Sequence, residues 1–318
     1  MGVPQAERIR ALDWVGLLQG TLRFCASAPL RVAFAPRLRA PSASLTRGSL
    51  RSPLHLPTIP QLMKLYSKIY GSGNHCKLIV LHGLFGMGDN WATLARRWAE
   101  EEQIEVHLLD MPNHGRSYKT KHFDYETMAA DVLEYLETNH LTPSNLLGHS
   151  MGGKTAMLLA TLRPDVVERL IVVDIAPRYY PVHHTFIIEA LRSLNLKTES
   201  RTDVEEQLAQ KIAQPDIRMF LLKSLHRTPV GFEFRFNLDV IADKIEEVGR
   251  ALPEYAVYQG PTLFIRGNRS DYIRDSDFPL ISKHFPNSRV ETVNDAGHWV
   301  HAEQPDKVFT LVAQFLAQ

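Results

Sequence analysis

The chain has 318 residues, 44% hydrophobic and 22% charged, which supplies enough apolar matter for a buried sheet and argues against bulk disorder. Its formal net charge of +1 is uneven: residues 1–60 hold eight arginines against two acids while the rest is mildly acidic, so the folded part carries no nucleic-acid footprint. Two cysteines, Cys25 and Cys76, leave no internal disulfide or cysteine-based metal site in the domain, and no apolar run reaches the roughly 18 residues of a membrane span.

In chain order, the stretch from Trp14 to Gly88 contains no Asp or Glu, while Arg23, Arg31, Arg37, Arg39, Arg47 and Arg51 stand among Ser, Ala, Leu and Pro. This is the composition of a mitochondrial transit peptide; Val15 to Leu18 is too short for a secretory apolar core. Residues 1–60 are therefore expected to be a basic leader directing the chain to mitochondria. A first strand or hairpin is predicted over Leu65 to Tyr70, ended by Gly71-Ser72-Gly73. Lys77 to Leu81 is an apolar strand running into His82-Gly83, and Val106 to Asp110 is another. The loop Asp110-Met111-Pro112-Asn113-His114-Gly115-Arg116-Ser117 follows, read as a structural polar network. Tyr125 to Asn139 is a helix with Met128, Val132, Leu133 and Leu136 on one face. Asn145-Leu146-Leu147 ends a buried strand, Lys154 to Leu162 is a helix, and Leu170 to Val173 is a strand ending at Asp174.

The alternation of strand and helix breaks between Asp174 and Gly260. Thr185 to Leu194 reads as a helix, Thr202-x-x-Glu205 as a capping box, and Phe232 to Phe236 as a short extended piece. Strands resume at Pro261 to Arg266 and Arg289 to Val293, and Pro305 to Leu316 forms a last helix. The expected fold is α/β: a mostly parallel sheet flanked by helices, with a helical cap inserted between core strands. The core occupies 61–174 and 261–318 and the cap 175–260. Phe186, Ile187, Met219, Phe220 and Leu222 are cap residues available to line an apolar pocket or to pack cap against core.

The chemistry is carried by Leu147-Gly148-His149-Ser150-Met151-Gly152-Gly153. A Gly-x-Ser-x-Gly turn between strand and helix is a nucleophile elbow, tight enough that its neighbours must lack bulk. Its serine sits in strained backbone, which costs roughly 1–3 kcal/mol. A nucleophilic serine needs a base, a group that orients the base, and an oxyanion site. The base comes last in the order Ser, acid, His. His298, in Asn294-Asp295-Ala296-Gly297-His298-Trp299, meets that demand, with Gly297 expected to let the loop turn. His82 reads as a loop anchor, His149 is locked in the elbow, and His301 stands one turn too late. The oxyanion donors are assigned to the Met151 N–H and, from the loop after the strand at 77–81, to the Leu84 N–H, with Phe85 as fallback.

His-Gly-Leu-Phe-Gly at 82–86, Asp-x-Pro-Asn-His-Gly-Arg-Ser at 110–117, Gly-His-Ser-Met-Gly-Gly-Lys-Thr-Ala-Met at 148–157, Val-Asp-Ile-Ala-Pro at 173–177 and Ala-Gly-His-Trp-Val-His at 296–301 recur in this order. From about Leu62 to the C-terminus the chain resembles the α/β-hydrolase superfamily, and within it a branch of mitochondrial hydrolases and bacterial esterases. The first and last motifs are generic to the superfamily; the middle ones mark the branch. The resemblance implies a hydrolase of glycerolipid acyl esters in the mitochondrial matrix, with diacylglycerol as the associated substrate. It implies no cofactor and no metal, and by likeness alone association with the 2-oxoglutarate dehydrogenase complex.

The acid has several candidates. In many superfamily members it follows the next-to-last strand, where this chain offers Ser270, which cannot carry the charge, and Asp271, displaced by one. Asp174 ends a strand on the same sheet edge as the elbow. Asp239, in Phe236-Asn237-Leu238-Asp239, corresponds to the aspartate commonly named as the acid in the branch, although an Asp before Val240-Ile241-Ala242 also suits a helix N-cap. Position favours Asp174 and the resemblance favours Asp239. The functions compatible with these residues are a serine esterase or lipase, a thioesterase or amidase on the same triad, and a binding protein that retains the pocket.

Overall fold

The computed structural model describes residues 64–318; the arginine-rich leader and Cys25 lie outside the described residues. The first half of the core contributes β1 (Ser67–Tyr70), β2 (Cys76–Leu81), β3 (Ile104–Leu109), β4 (Ser144–His149) and β5 (Val167–Val173), with α1 (Ala92–Glu101), α2 (Tyr125–Thr138) and α3 (Met151–Leu162) between them. The chain then leaves the sheet for α4 (Thr185–Arg192), α5 (Arg201–Ala209), α6 (Pro215–Lys223), the antiparallel hairpin β6 (Leu225–Thr228) and β7 (Gly231–Phe234), α7 (Leu238–Asp243) and α8 (Ile245–Gly249). It returns with β8 (Thr262–Gly267), α9 (Phe278–His284), β9 (Ser288–Val293), α10 (Val300–Glu303) and α11 (Pro305–Leu316).

The seven core strands lie in the order β1-β3-β2-β4-β5-β8-β9, all parallel except β1, which pairs antiparallel with β3. Buried on both faces, the central strands read as continuous apolar runs, the pattern of a parallel sheet covered by helices. The two-residue period sorts them: Leu78, Val80, Leu147, Ile171 and Ile265 pack with Trp98, Val308 and Val312 of α1 and α11. Ile79, Leu81, Leu146, Val172 and Phe264 face the opposite side, with α2, α3 and the cap. The chain moves outward from β2 to β3, then returns to place β4 on the other flank of β2. The loops leaving the carboxyl ends of β2 and β4 therefore diverge, and such a crevice is where ligands bind in open α/β sheets. Both the Gly83–Gly86 turn and Ser150 stand there.

Several expected elements shift in ways with local causes. α3 begins at Met151 instead of Lys154, because the elbow feeds directly into the helix. The capping box at Thr202 is not formed; Ser200 is the N-cap of α5 and accepts from the Thr202 N–H, so the helix starts earlier. The extended piece at 232–236 is β7, paired with a β6 whose Leu-His-Arg-Thr sequence gives no alternating signal. Asp239 is not an N-cap either: that position belongs to Asn237, and Asp239 lies in the first turn of α7.

Candidate active site

β4 delivers the elbow. Ser150 has φ 52° and ψ −116°, a conformation that non-glycine residues avoid. It is clamped by its own N–H donating to Val173 O (3.0 Å) and by the Lys154 N–H donating to Ser150 O (3.0 Å). A side chain at Gly148 would collide with the Gly152 backbone, and one at Gly152 with Leu81 O, so the turn closes only with glycine on both sides of the serine.

β5 ends one residue before Asp174, which also has φ 52° and donates its N–H to Ile265 O on β8 (2.8 Å). The carboxylate is fully buried. Its Oδ1 accepts from the Gly267 N–H (3.1 Å), and its Oδ2 accepts from the Ser270 hydroxyl and from His298 Nδ1 (2.8 Å). With Nδ1 spent on the carboxylate, Nε2 of the ring is the free acceptor. The loop bearing the imidazole is held by His149 Nε2, which donates to His298 O (2.9 Å), and the ring stacks on Tyr272 with centroids 3.9 Å apart and planes 18° apart. The sharp turn of this loop falls at Asp295 (φ 58°) and not at Gly297. Gly297 instead donates its N–H to Glu303 Oε2 (2.9 Å) and leaves that carboxylate room.

Ser150 and His298 line one cavity, and no hydrogen bond joins the Ser150 hydroxyl to the imidazole among the described residues. In serine hydrolases the bond between serine and base is often long before substrate binds. Burial keeps the His298 ring neutral, well below the ordinary histidine value, and His183 nearby adds like charge against protonation. Burial pushes the Asp174 carboxyl up to about 6, while Ser270 and the Gly267 amide pull it back, so it is ionised at neutral pH. A neutral base beside an ionised carboxylate is the arrangement that accepts a proton from a hydroxyl.

The other candidate acids stand elsewhere. The Asp239 side chain is 92% exposed and its charged neighbour is Arg192, 3.7 Å away. Asp271 is exposed and pairs with Arg274 (3.3 Å). His82 anchors its loop, donating from Nδ1 to Gly83 O (2.8 Å) and accepting the Met111 N–H at Nε2 (3.0 Å). His301 is buried and stacked on Trp91, 4.1 Å between centroids.

In the loop after β2, the Gly86 N–H donates to Gly83 O (3.0 Å) and the Phe85 N–H to His114 Nε2 (3.2 Å). The Phe85 amide is thus occupied and does not serve as the fallback donor. The Leu84 N–H has no acceptor among the described residues. The Met151 N–H, first in α3, has no intrahelical acceptor by position.

The cavity measures about 250 Å³ and is walled mainly by apolar side chains, among them Leu84, Phe186, Ile187, Ile217, Phe220 and Trp299. Of the cap residues expected to line it, Phe186, Ile187 and Phe220 do. Met219 is exposed and Leu222 packs in the core. Sequence reading gave Tyr272 and His183 no role; Tyr272 OH meets His183 Nε2 at 2.5 Å, and only the three-dimensional meeting of cap and loop reveals it. Ser270 stood at the expected offset after β8 and contributes its hydroxyl from there. Among the described residues no cluster of three metal-ligating side chains occurs, and no helix is long and apolar enough to cross a membrane.

A central parallel sheet, a strained serine between β4 and α3, and a histidine–carboxylate pair over the same sheet edge define an α/β hydrolase. Residues 78–197 match the family model of the alpha/beta hydrolase fold. The chain is 37% identical to the mouse (Mus musculus) sn-1-specific diacylglycerol lipase ABHD11 over 79% of its own length and 84% of that protein. It is 38% identical to a putative esterase/lipase of Haemophilus influenzae, covering 75% of this chain and 82% of the relative. A solved marine microorganism esterase superposes with a TM-score of 0.76 at 37% identity, over 80% of this chain and 99% of that one. The chain belongs to the α/β-hydrolase family.

Proposed function

We propose that this protein is a serine hydrolase of glycerolipid acyl esters, with Ser150 as nucleophile, His298 as general base and acid, Asp174 as the orienting carboxylate, and the Leu84 and Met151 N–H groups as oxyanion donors. The chain is a carboxylic-ester hydrolase. The observation that carries the residue assignment is the 2.8 Å bond from His298 Nδ1 to Asp174 Oδ2, which leaves Nε2 free beside the cavity that Ser150 lines. In this reading Ser150 Oγ attacks the ester carbonyl as its proton passes to Nε2. The tetrahedral oxyanion is met by the two amides, and His298 returns the proton to the departing alcohol. Water, deprotonated by the same ring, then attacks the acyl-enzyme and frees the acid.

The glyceride substrate is supported by the likeness to the mouse diacylglycerol lipase and by the apolar lining of the 250 Å³ cavity, which suits an acyl chain better than a charged group. The arginine-rich leader, without an acid from Trp14 onward, supports a mitochondrial address. Processed chain in the matrix fraction is expected, and full-length chain in the cytosol would contradict it.

Ser150→Ala is the direct test of the nucleophile. It should abolish both diacylglycerol hydrolysis and labelling by a fluorophosphonate, with an unchanged melting temperature because only a hydroxyl is lost. Labelling that persists in the purified variant would overturn the assignment.

A further inference from the structure

Two motifs remain outside this mechanism: the Asp110–Ser117 loop and the Asn237-Leu238-Asp239 segment of the cap. They touch each other, and the loop also touches the oxyanion turn. We propose that His114 and Asn237 are positioning residues, through which the seating of the cap on the Asp110–Ser117 loop sets the Leu84 oxyanion donor. The proposal rests on the reading of Leu84 as that donor.

The first contact is between loop and turn. Phe85 has φ 61°, a left-handed state that a phenylalanine adopts only under constraint. The constraint is the bond from its N–H to His114 Nε2 (3.2 Å). The fully buried His114 ring donates from Nδ1 to Pro112 O (3.0 Å), so its tautomer is fixed and Nε2 is the acceptor. With the Gly86 N–H returned to Gly83 O, the main-chain amides from Leu84 to Gly86 are accounted for, and Leu84 alone is left to bond substrate. His82 closes the clasp from the other side by accepting the Met111 N–H (3.0 Å), its ring 5.2 Å from that of His114.

The second contact is between cap and loop. Asn113, the neighbour of His114, is fully buried with φ 64°. Its Oδ1 accepts the Thr120 N–H (2.9 Å) and its Nδ2 donates to His122 O (3.0 Å), so main-chain groups dictate which way the amide faces. Asn237, at the start of α7, then donates twice: from its N–H to Asn113 O (2.8 Å) and from its Nδ2 to Asn113 Oδ1 (3.0 Å). Beside it, Phe236 packs on Phe85 with ring centroids 5.1 Å apart. A displaced cap would withdraw support together from Asn113, the neighbour of His114, and from Phe85, the donor of the bond to its ring. The loop itself has a rigid root, because Asp110 accepts the Gly88 N–H (2.7 Å) and the Arg116 N–H (2.8 Å).

The test measures kcat and KM on an aryl ester, the inhibition constant of an alkyl boronic acid as tetrahedral mimic, and melting temperature, for wild type and four variants. His114→Phe keeps a ring but offers no acceptor. Loss of an oxyanion donor typically costs about 10²–10³ in rate, so kcat should fall about a hundredfold with KM within about threefold, and boronate affinity should fall in parallel. His114→Gln can offer an oxygen to the Phe85 N–H and should recover most of the loss. Asn237→Ala removes one neutral hydrogen bond and should lower kcat about threefold to tenfold at similar KM. Asn237→Asp turns an oxygen toward Asn113 Oδ1 and should lower it further.

The proposal is overturned if both Asn237 variants keep kcat within twofold, or if their defect lies in KM alone. Should His114→Phe fail to fold, the Asn237 pair decides. If wild type hydrolyses the ester and fluorophosphonate labels it while Ser150→Ala abolishes both, a negative result at Asn237 sinks this inference and leaves the catalytic reading standing. If wild type is inert to both reagents, the catalytic reading fails and takes the inference with it.

Discussion

Ser150 and Asp174 share a positive φ of 52°, each one residue beyond the end of a strand, and each tied by its N–H to the next strand in the sheet. Two residues in a sparsely populated region imply strain of about 1–3 kcal/mol apiece, sustained by the packed sheet. The reward is placement: side chains that would otherwise lie in the pleat stand over its edge. If Asp174 orients the base, Asp174→Asn should cut kcat by up to about 10⁴, since an amide facing Nδ1 favours the wrong imidazole tautomer. Asp239→Asn should leave turnover within twofold, because that side chain is exposed. Turnover of both variants beside their melting temperatures checks this, and the opposite ranking would return the role to the cap. The candidate nucleophile was legible because the elbow constrains every neighbour, and the candidate base because chain order leaves one histidine. The acid was ambiguous because a carboxylate needs only reach, and reach depends on how β5 and β8 align.

At the scale of elements, the core was easier to read than the cap. α11 starts at Pro305, which suits a first helical turn, and its apolar stripe is regular, so both ends were evident. Cap helices such as α7 and α8 are too short for a periodicity to develop, and they are held mainly by contacts distant in sequence. Lys154 of α3 shows how. Its buried ammonium donates to Arg178 O (2.7 Å) on the chain entering the cap and to Arg250 O on the chain leaving it, above the face of Tyr180. Lys154→Met matches the stem but abandons these buried carbonyls, and should destabilise the fold by about 1–3 kcal/mol. Denaturant titration measures it; a loss below about 0.5 kcal/mol would mean that the neck of the cap is held by other contacts.

Across the whole molecule, an unusual number of histidines are buried and neutral. Burial lowers His82 to about 4 and His114, His149, His184 and His298 to about 3, with His301 well below its ordinary value. Each has a folded value below its unfolded value of 6.5, so its contribution to stability is present above pH 6.5 and is lost as pH falls toward the folded value. Asp174, raised to about 6, and Asp131, raised to about 7 by burial, act in the opposite sense, gaining stability as pH falls toward 3.8. Burial also lowers His107 and raises Asp110, so seven groups act against three. Each proton that the unfolded chain binds and the fold refuses is worth about 1.4 kcal/mol per pH unit. The melting temperature should therefore drop steadily from pH 6.5 to pH 5, and a flat profile over that range would show that these rings are hydrated in solution.

The position of Asp174 on the sheet also has a consequence for variation. With Asp174 proposed as the orienting carboxylate, the segment 268–274 after β8 need not supply that group; it gives the site a hydroxyl from Ser270 and an aromatic face from Tyr272. On the proposed assignment, substitutions in this segment at positions other than Ser270 and Tyr272 would recontour the cavity mouth while the candidate proton-transfer groups stay on β4, β5 and the His298 loop.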